Sequence, residues 1–248
     1  MGQVSVQNRL LGALPGEVYR RLCPALASLT FALGDVLYEP GERMSHVYFP
    51  TSAVVSLIYT MADGDTAEMG LVGNEGVVGV ALFLGGDAMP NQAVVQVAGG
   101  ALRMRADAMR DEFERGGAFR TRLLRYTQAL LTQVSQTAVC NRLHPIEERL
   151  CRWLLMTRNR VPSDEVHVTQ EVLAHMLGVR REGVTLAAHR LQEAGLIRYR
   201  RGHITILDRT GLEAASCECY RVVKDEFDRL LGNGRPADSS GVGAPRSD

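Results

Sequence analysis

The chain has 248 residues, 46% of them hydrophobic and 23% charged, the proportions of a globular protein of one large or two modest domains that buries a core without covalent staples. Twenty-eight basic residues balance 28 acidic ones, so total charge argues for neither whole-chain attraction to nucleic acid nor an acidic tail. Five cysteines, an odd number too sparse for a secreted disulfide scaffold, fit a reducing, cytoplasmic setting. No stretch reaches the roughly 18 apolar residues of a membrane helix, and MGQVSVQNRLL lacks the basic and apolar regions of a signal peptide.

The distribution of charge says more. Residues 1–100 carry 4 basic and 9 acidic groups, 101–140 carry 7 and 4, 141–209 carry 12 and 8, and 210–248 carry 5 and 7. Positive charge therefore gathers in the second half, with five of the six histidines (144, 167, 175, 189 and 203). Lys224 is the one lysine among the basic residues; arginine suits forked contacts to phosphate and guanine, and a biased genome composition explains it equally well.

In chain order, RLLGALPGEVYRRLCPAL (9–26) reads as a short amphipathic helical prelude, with Pro15 at a first helical position and Val18, Leu22 and Leu26 on one stripe. From about Thr30 to Met104 glycines punctuate short β-branched runs such as HVYF (46–49), AVVSLIYTM (53–61) and QAVVQV (92–97). That pattern predicts an antiparallel sandwich or barrel-like roll, with tight turns at Asp63-Gly64 and Gly85-Gly86. Residues 119–141 then run without Pro or Gly, predicting a long helix. One apolar edge comprises Phe119, Leu123, Tyr126, Leu130 and Val134, and a second comprises Leu124, Leu131 and Ala138. A face that wide can lie on the roll or pair with a second copy, and the first edge is taken as the dimer seam.

His144-Pro145 ends that helix, and IEERLCRWLLM (146–156) starts another with Ile146, Leu150, Trp153 and Leu154 inward. The predicted organisation is a roll with its prelude (1–118), a dimerisation helix (119–141), a second domain (142–231), and a disordered tail (232–248) without apolar periodicity. The informative stretch is VTQEVLAHMLGVRREGVTLAAHRLQEAGLIRYRRGHITIL (168–207). Thr169 caps a helix that buries Val172, Leu173, Met176 and Leu177; Gly178 breaks it, and a second helix runs from about Arg181 to Ala194. Strands 196–199 and 203–207, joined through Arg200, Arg201 and Gly202, make a two-stranded wing.

On that second helix Val184, Ala187, Ala188 and Leu191 form the core face. The opposite face, Glu182, Thr185, Leu186, His189 and Glu193, is poorly chosen for solubility and well chosen for contact. Arg180, ahead of the helix, is no N-cap, which leaves amides suited to a phosphate, or to water. Two other classes compete with DNA binding. His144 with Glu147 and Glu148 could form a hydrolytic or metal site, although the spacing matches no strong motif. A ligand-binding module could use the winged helix for protein contacts. Cys217-Glu-Cys219, two thiols without nearby partners in sequence, reads as structural or incidental rather than metal-binding.

The order of helical prelude, roll, long helix and winged helix-turn-helix, with VLYEPGE (36–42), HVYFPTSAVVSL (46–57), NEGVVGVALF (74–83) and TQEVLAHMLGVRREGV (169–184), resembles the family of the cyclic-AMP receptor protein and the fumarate-nitrate regulator over about residues 10–231. The resemblance implies an α+β fold with a cyclic-nucleotide-binding-like roll. It also implies a homodimer on a pseudo-palindromic double-stranded DNA site, with contact to RNA polymerase left open. The implied DNA-contacting set is Thr169, Gln170, Arg180, Arg181, Glu182, Thr185, Leu186, His189, Arg200, Arg201 and His203. Arg181 would grip guanine and Glu182 cytosine, while Leu186 stands where many relatives have another Arg and suits a thymine methyl. Where cyclic-nucleotide-binding members hold ribose with Gly-Glu and phosphate with Arg-Ser or Arg-Thr, this chain has Gly79-Val80 and Asn91-Gln92. Both charged anchors are gone, which predicts no response to cyclic nucleotides, a pocket at those four positions suited to a neutral molecule, and no cofactor.

Overall fold

The structure, a computed structural model, describes residues 7–161 and 163–232; the tail expected from 232 lies, beyond Gly232, outside the described residues. Helices α1 (Arg9–Gly12) and α2 (Gly16–Leu22) and a 3-10 turn (Cys23–Ala25) form the prelude. Asn8 caps α1 by accepting from the Leu11 amide at 3.0 Å, and its own amide donates to the carbonyls of Pro50 and Gly76 at 2.8 and 3.0 Å. Those bonds pin the prelude to the roll. Pro15 is the cap of α2 rather than its first residue.

The roll comprises β1 (Ala27–Phe31), β2 (Val36–Tyr38), β3 (His46–Pro50), β4 (Val54–Thr60), β5 (Thr66–Val72), β6 (Gln92–Val97) and β7 (Gly99–Arg105). They form two antiparallel sheets, ordered β1-β7-β3 and β2-β6-β4-β5. The apolar runs 46–49, 53–61 and 92–97 become β3, β4 and β6. The expected tight turns differ from the hairpins sought: Asp63-Gly64 sits inside the longer connection 61–65, and Gly85, at φ 94°, caps the short helix α3 (Ala81–Leu84).

Helix α4 (Ala106–Glu114) leads into α5 (Gly117–Leu143), 27 residues long, or about 40 Å. Its Phe119, Leu123, Tyr126, Ala129 and Leu130 join Leu10, Leu22, Phe49 and Val55 in the roll core. Gly76 accommodates this crossing, since a Cβ there would lie 2.4 Å from the Tyr126 ring. This corrects the expected seam: Phe119, Leu123, Tyr126 and Leu130 are buried within their own chain, and of the five proposed seam residues Val134 alone stays partly exposed. Periodicity found the apolar edge but could not tell which of two partners covers it.

After α6 (Ile146–Arg158) come β8 (Glu165–His167), α7 (Gln170–Leu177), α8 (Arg181–Glu193), β9 (Ile197–Arg200), β10 (His203–Ile206), α9 (Arg209–Ala214) and α10 (Glu218–Leu231). β10 pairs with both β9 and β8, so the wing sheet has three strands where two were expected. From Arg149 to Thr157 every residue of α6 is buried, because the helix lies between the winged helix and Val54, Ile58 and Leu71 of the roll. At the same junction Arg160 pairs with Glu75 at 2.8 Å and donates to Gln133 Oε1 at 2.9 Å and the Met156 carbonyl at 2.7 Å. Gln133 in turn donates to the Leu71 carbonyl at 3.0 Å. The pair is almost wholly buried, and all three Arg160 nitrogens have partners while the Gly73 amide also donates to Glu75 Oε1, the kind of support under which a buried ion pair is tolerated.

Helix α10 runs antiparallel along α5. Arg122 donates to the Leu231 carbonyl at 2.6 Å, the Tyr126 and Phe227 rings meet edge to face at 6.4 Å, and Cys140 meets Cys217 at 3.5 Å. No described helix is long and apolar enough to cross a membrane.

Candidate nucleic-acid interface

Local chemistry sets up the two helices. Thr169 Oγ1 accepts from the Val172 amide at 3.2 Å to start α7, and Gly178, at φ 60° and ψ 46°, ends it in the left-handed conformation that costs glycine least. α8 begins at Arg181 without a side-chain cap. Its Val184, Ala187, Ala188 and Leu191 are buried, as their spacing requires, and Arg181, Glu182, Thr185, Leu186, His189 and Glu193 face solvent. Leu186 is 52% exposed, a large apolar side chain left in water.

Two hydrogen bonds of Tyr199 set the wing against α8 and against the segment that leads into α7. The Tyr199 amide donates to Gln192 Oε1 at 2.7 Å, and its hydroxyl donates to the Val168 carbonyl at 2.9 Å. The result is an open cleft between α7, α8 and the wing, into which Gln170, Arg181, Thr185, His189 and Arg201 converge. Thr185 donates to Gln170 Oε1 at 2.9 Å, fixing both across the cleft. Arg201, at φ 51°, is the one described non-glycine residue with positive φ and shares the wing turn with Gly202 at φ 81°. Such a turn ordinarily takes Asn, Asp or Gly at its first central position; an arginine held there is a strained choice that presents a cation at the wing tip.

The remaining expected residues are mostly exposed. Arg180 and Arg200 face solvent. His203 Nδ1 lies 3.3 Å from Glu165 Oε1, with its ring 4.1 Å from that of His167, and His189 Nδ1 lies 3.3 Å from Glu193. The sequence reading passed over Gln192 and Tyr199, because their role depends on the fold of the wing rather than on the wheel of α8.

The four ligand-pocket positions fare differently. Asn91 is buried and donates to the Tyr38 hydroxyl at 3.0 Å, and Gln92 donates to Glu39 Oε2 at 2.7 Å. Gly79 packs on Val47, and Val80 precedes α3. Their polar groups are engaged within the roll, and a carboxylate stands beside one of them. A cavity of about 210 Å³ opens elsewhere, among Arg122, Glu75, Asn159, Arg160 and Phe227 under α10. The enzymatic trio is also not assembled: His144 Nε2 faces Glu218 at 3.4 Å, and Glu147 pairs with Arg190.

A roll joined by a long helix to a winged helix with an open, arginine-bearing cleft defines a two-domain DNA-binding regulator. Residues 28–115 match the family model for the cyclic nucleotide-binding domain, and residues 148–215 match that for the Crp-like helix-turn-helix domain; together they span more than half of the chain. No curated protein matches the sequence. Among solved structures, FixK2 from Bradyrhizobium japonicum is 15% identical with a TM-score of 0.67, covering 77% of this chain and 98% of that one. A CRP-family transcriptional regulator from Thermus thermophilus, TTHB099, is 20% identical with a TM-score of 0.65, over 76% of this chain and 96% of that one. CLP of Xanthomonas campestris, described as a c-di-GMP-responsive global regulator, is 17% identical with a TM-score of 0.63, over 78% and 100%. The chain belongs to the Crp/Fnr family of DNA-binding transcription regulators, which are not enzymes. Helices α5 and α10 lie outside both matched segments.

Proposed function

We propose that the protein is a cytoplasmic homodimer that reads a pseudo-palindromic DNA site with α8 and does not respond to cyclic AMP or cyclic GMP. The observation that carries the reading is the cleft, where Arg181, Thr185, His189 and the strained Arg201 converge beside an exposed Leu186. In the major groove Arg181 takes a guanine edge, Glu182 a cytosine amine and Leu186 a thymine methyl, while Arg180, Arg200, Arg201 and His203 meet phosphates. Two copies pair through the second edge of α5. Leu124, Leu131 and Ala138 are exposed there at seven-residue spacing, flanked by the partly exposed Thr127 and Val134. Asn91 and Gln92, engaged with Tyr38 and Glu39, offer a cyclic phosphate diester no cation.

Selection from random DNA by the purified protein tests this reading. A two-fold site is expected; Arg181→Ala should lower the ratio of specific to random affinity, and Arg201→Ala should weaken both alike and flatten the salt dependence. An unchanged ratio in Arg181→Ala removes the groove assignment. Titration calorimetry is expected to find no micromolar binding of either cyclic nucleotide.

A further inference from the structure

The end of α5 and the start of α10 bring together four side chains that are far apart in sequence. Cys140 lies in the last turn of α5 and His144 is the C-cap of that helix, while Cys217 is the N-cap of α10 and Cys219 is in its first turn. Their ligand atoms all lie within 4.8 Å of one another. Cys140 Sγ is 3.5 Å from Cys217 Sγ, and Cys219 Sγ is 3.5 Å from His144 Nδ1. We infer that Cys140, His144, Cys217 and Cys219 form a structural zinc site that clasps α10 to α5. Cys217 and Cys219 have no nearby partners in sequence; the fold supplies Cys140 and His144 across 77 and 75 residues.

Geometry, chemistry and surroundings agree. Zn–S bonds near 2.3 Å and Zn–N bonds near 2.0 Å set tetrahedral edges at roughly 3.5 to 3.8 Å, and the two contacts above fall at that length. A single ion fits such a span, whereas an iron–sulfur cluster holds its ligands further apart. Three thiolates and one imidazole in tetrahedral array are a zinc donor set, and four protein ligands leave no open position, so the role is structural rather than catalytic. His144 presents Nδ1 to the centre, and its Nε2 lies 3.4 Å from Glu218 Oε2, the carboxylate partner that fixes ring orientation around a zinc-bound histidine.

The three thiols are buried together, apart from both hydrophobic cores, so packing alone does not account for their grouping. Three thiolates around one divalent ion leave a net negative charge. Arg149 and Arg152 are buried on the adjoining α6, and neither has a carboxylate partner among the described residues. A cysteine at the N-cap of α10 is a poor cap in itself but puts a thiolate at the positive end of the helix. Binding releases the thiol protons to solvent, and the ion joins the pairing helix to the last helix of the DNA-binding half.

The experiment is a metal analysis of the full-length chain purified under reducing conditions. One zinc per chain is expected to survive dialysis, to be lost in Cys217→Ser, and to be kept in Cys23→Ser, whose exposed thiol is not part of the cluster. In case Cys217→Ser does not fold, the metal-stripped native chain is titrated with Co²⁺. One equivalent should produce thiolate-to-cobalt charge transfer and tetrahedral d–d bands, both displaced by Zn²⁺. Removing zinc from the native chain with a chelator should lower its melting temperature. A reduced native chain that takes up neither ion, or zinc retained undiminished in a folded Cys217→Ser protein, overturns the assignment. So does a metal-free chain as isolated from cells carrying a Cys140–Cys217 disulfide, which would make the cluster a redox pair.

Discussion

Replacing Leu131 by aspartate separates the two edges of α5. Leu131 is 62% exposed in one chain, and full burial of a leucine is worth about 1.5 to 3 kcal/mol, so covering it in a dimer contributes roughly 1 to 2 kcal/mol per copy. A two-fold seam counts the change twice, and facing carboxylates add desolvation and repulsion of at least about 1 kcal/mol more. The expected loss, on the order of 4 kcal/mol, weakens dimerisation about a thousandfold while leaving the fold intact. Leu123→Asp, at a position with no exposure inside the roll core, should instead unfold the chain. Sedimentation velocity over a range of concentrations, with circular dichroism as the folding control, reads both. A Leu131→Asp protein that dimerises like the native one refutes the seam. A folded, monomeric Leu123→Asp protein would show that the first edge faces the partner after all.

Burial pushes Glu68 up from 4.5 to about 7 against the opposing pull of Ser56, Trp153, Arg152 and Arg160. The folded chain therefore holds this proton more tightly than the unfolded one, and the stability so gained is complete below pH 4.5 and lost as pH rises through about 7, by an amount on the order of 3 kcal/mol. Glu68→Gln should flatten that part of the dependence of unfolding free energy on pH; an unchanged slope places the titration elsewhere. Arg160→Ala strands the buried carboxylate of Glu75 and should cost about 3 to 5 kcal/mol in denaturant unfolding, and a loss below about 1 kcal/mol would mean that water already reaches the pair. Gly76→Ala puts a Cβ 2.4 Å from the Tyr126 ring and should destabilise by about 1 to 3 kcal/mol. A neutral result would show that α5 can shift on the roll.

What the sequence made legible followed periodicity and punctuation. The core face of α8, the Thr169 cap, the Gly178 break and the β3, β4 and β6 runs each depend on residues within about ten positions of one another, where local stereochemistry decides. The exposed face of α8 was readable for the same reason: a wheel that places Leu186 and His189 opposite Val184 and Leu191 needs no tertiary contact. Which edge of α5 stays exposed was not readable in this way. Both edges of α5 are apolar, and the choice between them is made by Gly76 and by α10, which cover the first edge and leave Leu124 and Leu131 outside.

The same limit applies to the cysteines. Cys217 and Cys219 acquire partners only because α10 folds back antiparallel along α5, and that path is set by contacts such as Phe227 on Tyr126 and Arg122 on the Leu231 carbonyl. Those contacts, the Arg160 network and the cysteine clasp all join the DNA-binding half to α5 or to the roll. The angle at which α8 is offered to DNA is thus set relative to α5, the helix proposed to pair two copies through its other edge. Half-site spacing depends on both, so a change at Cys140 or Arg160, far from any base, should alter operator preference by turning α8 while leaving its side chains intact.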